Sequence, residues 1–130
     1  MNLREYFEGT KGIGVLATAD ADGKVNVAVY SRPHFLGDDD GELAFIMNDR
    51  LSHDNVDSNP QAAYLFIEQT EGYVGKRLFL TKTREETDQD KIQSIRRRNL
   101  PPECDEGDTK TRFLVHFRID GVRPLIGTGE

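Results

Sequence analysis

The sequence predicts a mainly β domain, an antiparallel barrel with α additions. Three observations carry that expectation. Short apolar segments alternate with Asp- and Gly-rich turns. Only one segment has the apolar spacing of a long helix. Strands and helices do not alternate regularly, as they would in a doubly wound sheet. With 130 residues the chain suits one domain built on one core, spanning residues 1–130.

The elements follow in order. Residues 2–8 read as a short amphipathic helix with Leu3, Tyr6 and Phe7 on one side. Residues 12–19 and 24–31 are strands joined by Asp20, Ala21, Asp22 and Gly23, because Asp-Gly tolerates the left-handed conformations of a tight hairpin turn. In the second strand Val25, Val27 and Val29 share one face, opposite Asn26, Ala28 and Tyr30. Residues 37–41 (GDDDG) form another hairpin loop leading into a strand over 42–47. A short helix opened by Ser52 closes before Asn59 and Pro60. Residues 61–68 (QAAYLFIE) are nearly all apolar, as in a strand covered on both sides.

Residues 75–87 are a long strand, and 87–98 are the one long helix. Thr87 or Asp88 caps its start, Asp88 and Asp90 occupy the first turn, Ile92 and Ile95 face the core, and Arg96, Arg97 and Arg98 suit the negative end of the helix dipole. Residues 101–107 are a loop, and 109–122 are the last strand.

Composition restricts function. Hydrophobic residues make up 36% and charged residues 31%, and no apolar run approaches the length of a membrane span. The start MNLREYFEG has no signal-peptide stretch, so the expected location is the cytoplasm. Cys104, the single cysteine, has no partner for an internal disulfide; its acidic loop raises a thiol pKa and argues against a nucleophile. A net charge of −6 argues against nucleic acid or an anionic membrane as partner. GDDDGE lacks the spacing of a calcium loop, and His34, His53 and His116 lack zinc-type spacing. Gly12-Ile13-Gly14 lacks the third glycine of a dinucleotide fingerprint and reads as a strand start.

The most informative stretch is residues 41–60, GELAFIMNDRLSHDNVDSNP. A buried strand delivers Arg50 and Ser52 to the start of a helix, where unpaired N–H groups and the positive dipole end suit a phosphate. The same residues also fit an ordinary strand-to-helix turn, with Ser52 as N-cap and Arg50 in solvent.

The succession DGKVNVAVYS, GELAFIMNDRLSHDNVDSNPQAAYLF and GYVGKRLFL resembles the FMN-binding split β-barrel family of pyridoxamine 5′-phosphate oxidase and its relatives, over residues 5–122. The resemblance implies a six-stranded antiparallel split β-barrel of Greek-key type with short helices. It also implies a homodimer with two FMN sites at the subunit interface. Position by position, it places Val29, Tyr30 and Ser31, with Arg32, at the flavin ring. Phe45, Ile46 and Met47 fall along the ribityl chain, and Lys76 or Arg77 reaches the flavin from the partner subunit.

The oxidase's Arg-Lys pair at the phosphate is matched here by Leu51 and Ser52. Arg50 is therefore expected to supply the charge, Ser52 and the helix N–H groups the donors, and His53 or Asn55 one more. The oxidase also draws groups for its substrate's phosphate from its C-terminal region. The chain ends VRPLIGTGE, with only Arg123 nearby, so pyridoxamine phosphate is not the expected substrate.

The resulting expectation is an FMN-dependent oxidoreductase acting on a small molecule, with no catalytic residue assigned and no metal. The alternatives are a non-enzymatic flavin carrier or electron-transfer module, and a haem-binding relative using His34 or His116.

Overall fold

The computed structural model describes residues 2–37, 41–48, 50–99 and 111–127, without the side chains of 97–99. The expected hairpin loop at residues 37–41 is described only at its ends. Cys104, the 101–107 loop, and the side chains of Arg97 and Arg98 lie outside the described residues.

Six antiparallel strands form one curled sheet: β1 (Gly12–Ala19), β2 (Val25–Tyr30), β3 (Glu42–Asn48), β4 (Gln61–Glu68), β5 (Gly75–Glu86) and β6 (Arg112–Pro124). Their order is β2-β1-β4-β5-β6-β3. β4, β5 and β6 form a meander, and β3 lies beside β6 before the chain crosses to β4, which is the Greek-key connection. β2 and β3 are the two edges, so the barrel is split between them. The long strands β5 and β6 change register between Phe79 and Leu80 and again between Lys82 and Arg84. Such irregularities let long paired strands bend and curl a sheet.

The hairpin β1–β2 turns at Gly23, where φ is +84°, while the Asp20 carboxylate accepts from the Asp22 and Lys24 amides. Inward-facing side chains fill the barrel: Leu16, Phe45, Met47, Tyr64, Phe66, Leu78, Leu80 and Phe117 are all essentially inaccessible. Helix α1 (Leu3–Gly9), capped by the Asn2 side chain, closes one end with Leu3 and Phe7.

Helix α3 (Gln89–Asn99) is started by Asp88, whose carboxylate accepts from the Lys91 amide at 3.2 Å. Its Ile92 and Ile95 do not enter the barrel. They pack with Ala44, Ile46 and Leu114 as a second, smaller core on the outer face of β3 and β6. That explains why β3 is buried on both faces over Leu43, Ala44 and Phe45.

Two expectations are corrected. Helix α2 (Leu51–Ser58) begins one residue before Ser52, and Arg50 takes the N-cap position without a side-chain cap bond. Ser52 is instead a buried second residue of the helix. β4 is not covered on both sides within the described residues. Tyr64 and Phe66 point inward, while Ala63, Leu65 and Ile67 are half-buried on the outer face.

That outer face is continuous. The register aligns Val29, Val15 and Leu65 in one row and Val27, Ala17, Ala63 and Phe79 in the next. At its edge Val25, Val27 and Val29 are 79%, 67% and 76% exposed. The valine face of β2 therefore looks outward, and Asn26, Ala28 and Tyr30 look toward the split.

Away from the split, Glu86 joins β5 to α3 and β6. Its carboxylate accepts from Lys91 Nζ at 2.8 Å and bonds His116 Nε2 at 2.6 Å, and these contacts hold its pKa down at about 2. A depressed folded pKa contributes stability above the ordinary value of 4.5, which is lost as pH falls toward about 2. Glu86→Gln is therefore expected to flatten the acid limb of melting temperature against pH across that window, which thermal melts in a pH series would measure.

Candidate functional site

The cleft at the split is built from three elements. β2 supplies Asn26, Ala28, Val29 and Tyr30, continuing into Ser31; β3 supplies Ile46 and Asn48; and the start of α2 supplies Arg50, Leu51 and Ser52. Together they line a cavity of about 450 Å3. A second cavity of about 590 Å3 shares Tyr30, Ser31, Ile46 and Asn48 with the first and continues past Arg32 and Phe45 toward α3. Both volumes fall within the roughly 300–1,000 Å3 of small-molecule sites.

Polar groups converge at the α2 end. Asn26 Nδ2 donates to Ser52 Oγ at 3.3 Å, and the Tyr30 side chain lines the same cavity as Ser52. Burial raises the Tyr30 pKa, an effect opposed by the nearby Ser52 hydroxyl and the Arg50 charge, so the phenol stays neutral near neutral pH. The first N–H groups of α2 have no partner within the helix and lie beside these side chains. A hydroxyl, a phenol, an amide, a guanidinium and a helix N-terminus thus border one cavity. That set suits an anion.

The remaining residues picked out by the resemblance lie elsewhere. The Met47 side chain is inaccessible in the barrel core. His53 and Asn55 turn away from the cleft and fasten α2 to the barrel. The His53 ring stacks on Phe113 with centroids 3.8 Å apart and bonds Glu85 Oε1 at 3.0 Å, while Asn55 Nδ2 donates to Thr18 Oγ1 at 3.0 Å. Lys82 completes this fastening by donating to Asp57 at 2.6 Å and Glu85 at 2.8 Å. Burial works against the Lys82 ammonium, but the two carboxylates more than offset it and raise its pKa. His53, Asp57 and Glu85 also have the mutual spacing of a metal triad. The Lys82 ammonium bonds both of its carboxylates, as expected of a structural ion network. On β5, Lys76 sits over the Tyr6 ring, and Arg77 donates to the Pro124 and Gly127 carbonyls. Neither lines the two cavities.

No protein-family model matches the chain, and no curated protein matches it. Solved structures do. An FMN-binding protein from Syntrophomonas wolfei subsp. wolfei superposes with a TM-score of 0.74 at 17% identity, over 97% of this chain and 85% of that one. A provisionally assigned pyridoxamine 5′-phosphate oxidase from Lactobacillus delbrueckii gives 0.66 at 17% identity, over 94% and 91% of the two chains. A haem-binding protein from Mycobacterium smegmatis gives 0.67 at 17% identity, over 99% of this chain and 55% of that one. This is the pyridoxamine 5′-phosphate oxidase-like split-barrel fold.

In this split barrel, two residues outside the expected site, Tyr64 and Gly14, set the shape of the cleft wall. The hydroxyl of the buried Tyr64 donates to the Tyr30 and Ser31 carbonyls at 3.2 and 3.1 Å, holding the end of β2 in place. Gly14 makes room for that hydroxyl, because a Cβ there would overlap it and crowd the Tyr30 carbonyl. Burial raises the Tyr64 pKa, so it remains a donor. Asn26, Ala28 and Asn48 also line the cleft, although the resemblance does not place them there. The alternation of β2 carried a signal for the first two, which share a face with Tyr30.

Gly14→Ala is expected to displace Tyr64 and destabilise the fold by about 3 kcal/mol, at the upper end for overpacking. Tyr64→Phe removes only the hydroxyl and should cost roughly 1–3 kcal/mol, as for buried carbonyls left unsatisfied. Chemical denaturation of both variants checks the order.

Proposed function

We propose that this protein is a flavoprotein that binds FMN in the β2–β3 cleft, with the phosphate at the start of α2, and acts as an oxidoreductase on a small molecule. The observation that carries this reading is the presence of Arg50, Ser52, Tyr30 and Asn26 together on the wall of a cleft of about 450 Å3 at the start of α2. The presence of an FMN-binding protein and a provisionally assigned pyridoxamine 5′-phosphate oxidase among the structural neighbours supports a flavin. FMN supplies reversible electron acceptance when bound, and the chain's residues bind and orient it.

In this reading Arg50 is the phosphate's cation, with Ser52, Tyr30 and the α2 N–H groups as donors. The backbone from Val29 to Ser31, held by Tyr64, lies along the ring edge. Haem is less well suited to His116, whose two ring nitrogens already face Glu86 at 2.6 Å and Glu42 at 3.4 Å. Turnover of a reduced nicotinamide with an electron acceptor separates an oxidoreductase from a flavin carrier.

The same reading includes a homodimer. The outer face of β2, β1 and β4 is a continuous apolar surface that a soluble monomer would leave in water. Val29 belongs to this face and also lines the cleft, so a partner seated there would lie at the cofactor's edge. Arg77 pairs with Leu65 across the strands and is therefore carried on the same face.

Arg50→Ala is expected to weaken FMN by roughly 1.5–3 kcal/mol for a lost charge-assisted hydrogen bond. It should leave riboflavin, which has no phosphate, nearly unchanged. Fluorescence titration of both ligands tests this, and equal losses would place Arg50 away from the phosphate. Val27→Glu, in the middle of the apolar face, is expected to convert a dimer to a monomer by sedimentation velocity. A wild-type monomer at micromolar concentration would remove the interface.

A further inference from the structure

We propose that the larger cavity beside the cleft is a binding site for an anionic small molecule, an apolar body carrying a carboxylate or phosphate. The proposal rests on the FMN reading only for its position next to the cofactor. Arg32 lines this cavity from the β2–β3 connection, and Arg96 lines it from α3.

Neither cation is neutralised by a carboxylate among the described residues. Arg32 Nη1 donates to the Phe7 carbonyl at 2.7 Å and the Glu8 carbonyl at 3.3 Å, and Arg96 Nη1 donates to Gln93 Oε1 at 2.8 Å. All of these acceptors are neutral. Glu8 is the one carboxylate among the described residues on the wall. In a chain of net charge −6, two uncompensated guanidinium groups facing one cavity create a local field that favours an anion. Each guanidinium has further N–H donors for oxyanion recognition.

The rest of the wall accepts an apolar body. Phe35, Phe45 and Ile95 line it. Tyr30 and Ile46 are shared with the cleft, so a molecule held by its anionic end at the arginines would extend toward the cofactor position. Phe35 stacks on Phe7 with centroids 6.1 Å apart, and Arg32 is tied to the end of α1, so this wall is built on packed elements.

The test compares naphthoate with naphthamide, two probes that share an aromatic body and differ in charge. Each is titrated calorimetrically into the purified chain with and without saturating FMN. Naphthoate is expected to bind about tenfold more tightly than naphthamide, as for one charge-assisted contact. Arg32→Gln combined with Arg96→Gln should abolish that preference, and Arg96→Gln alone should weaken it while leaving FMN affinity unchanged.

Because Arg32 also holds α1, Arg96→Gln is measured alone, and Arg32→Lys should retain part of the preference. Equal binding of the two probes by the wild-type chain overturns the proposal, as does a preference that survives in the folded Arg96→Gln and double variants. If FMN fails to bind but cofactor-free protein still prefers naphthoate, the anion site stands and the FMN reading falls. If FMN binds and no preference is found, the outcome is reversed.

Discussion

The architecture depends on one missing pairing. β2 and β3 are sheet edges that never hydrogen-bond to each other, and the barrel stays open between them. An open edge exposes unpaired backbone groups and invites either aggregation or a ligand. Here the gap is bordered by α2, which touches β1, β2 and β3 and presents its N-terminus to the opening. The donors that would otherwise need water therefore face a confined cleft. The site follows from how the sheet fails to close.

Keeping α2 in that place requires polar bonds more than apolar burial. Only Val56 among its buried residues is aliphatic; Ser52, His53 and Asn55 are buried and polar. His53 and Asn55 bond to β5 and β1, and Asn59 donates to the Asp20 carbonyl in the first hairpin turn. Directional bonds fix a helix's rotation as well as its distance, so Arg50 and Ser52 are aimed at the opening. Tyr64 does the same for the other wall through the Tyr30 and Ser31 carbonyls, in space that Gly14 leaves free. Both walls are positioned by residues that do not themselves line the cleft.

Charge is distributed to match. The chain is acidic overall, yet Arg50 stands at the cleft and Arg32 and Arg96 at the adjoining cavity. Several carboxylates are occupied elsewhere, Asp57 and Glu85 by Lys82 and Glu86 by Lys91 and His116. The two cavities meet at Tyr30 and Ile46. One molecule held in each would be in contact there.

The sequence by itself determined the element order, most boundaries to within a residue or two, and the arrival of Arg50 and Ser52 at a helix start. Period-two alternation, the Asp-Gly turn and the Asp88 cap are local signals, and local physics decides them. Strand pairing order, the side of β2 that faces the cleft, and the second core under α3 needed the tertiary structure. Alternation says that Val27 and Ala28 face opposite ways, but only the curl of the sheet says which way is in. The roles of His53 and Asn55 were hidden for the same reason. A helix as short as α2 carries too few apolar residues to announce its buried side, and its rotation is set by Thr18 and Glu85, which lie far away in the chain.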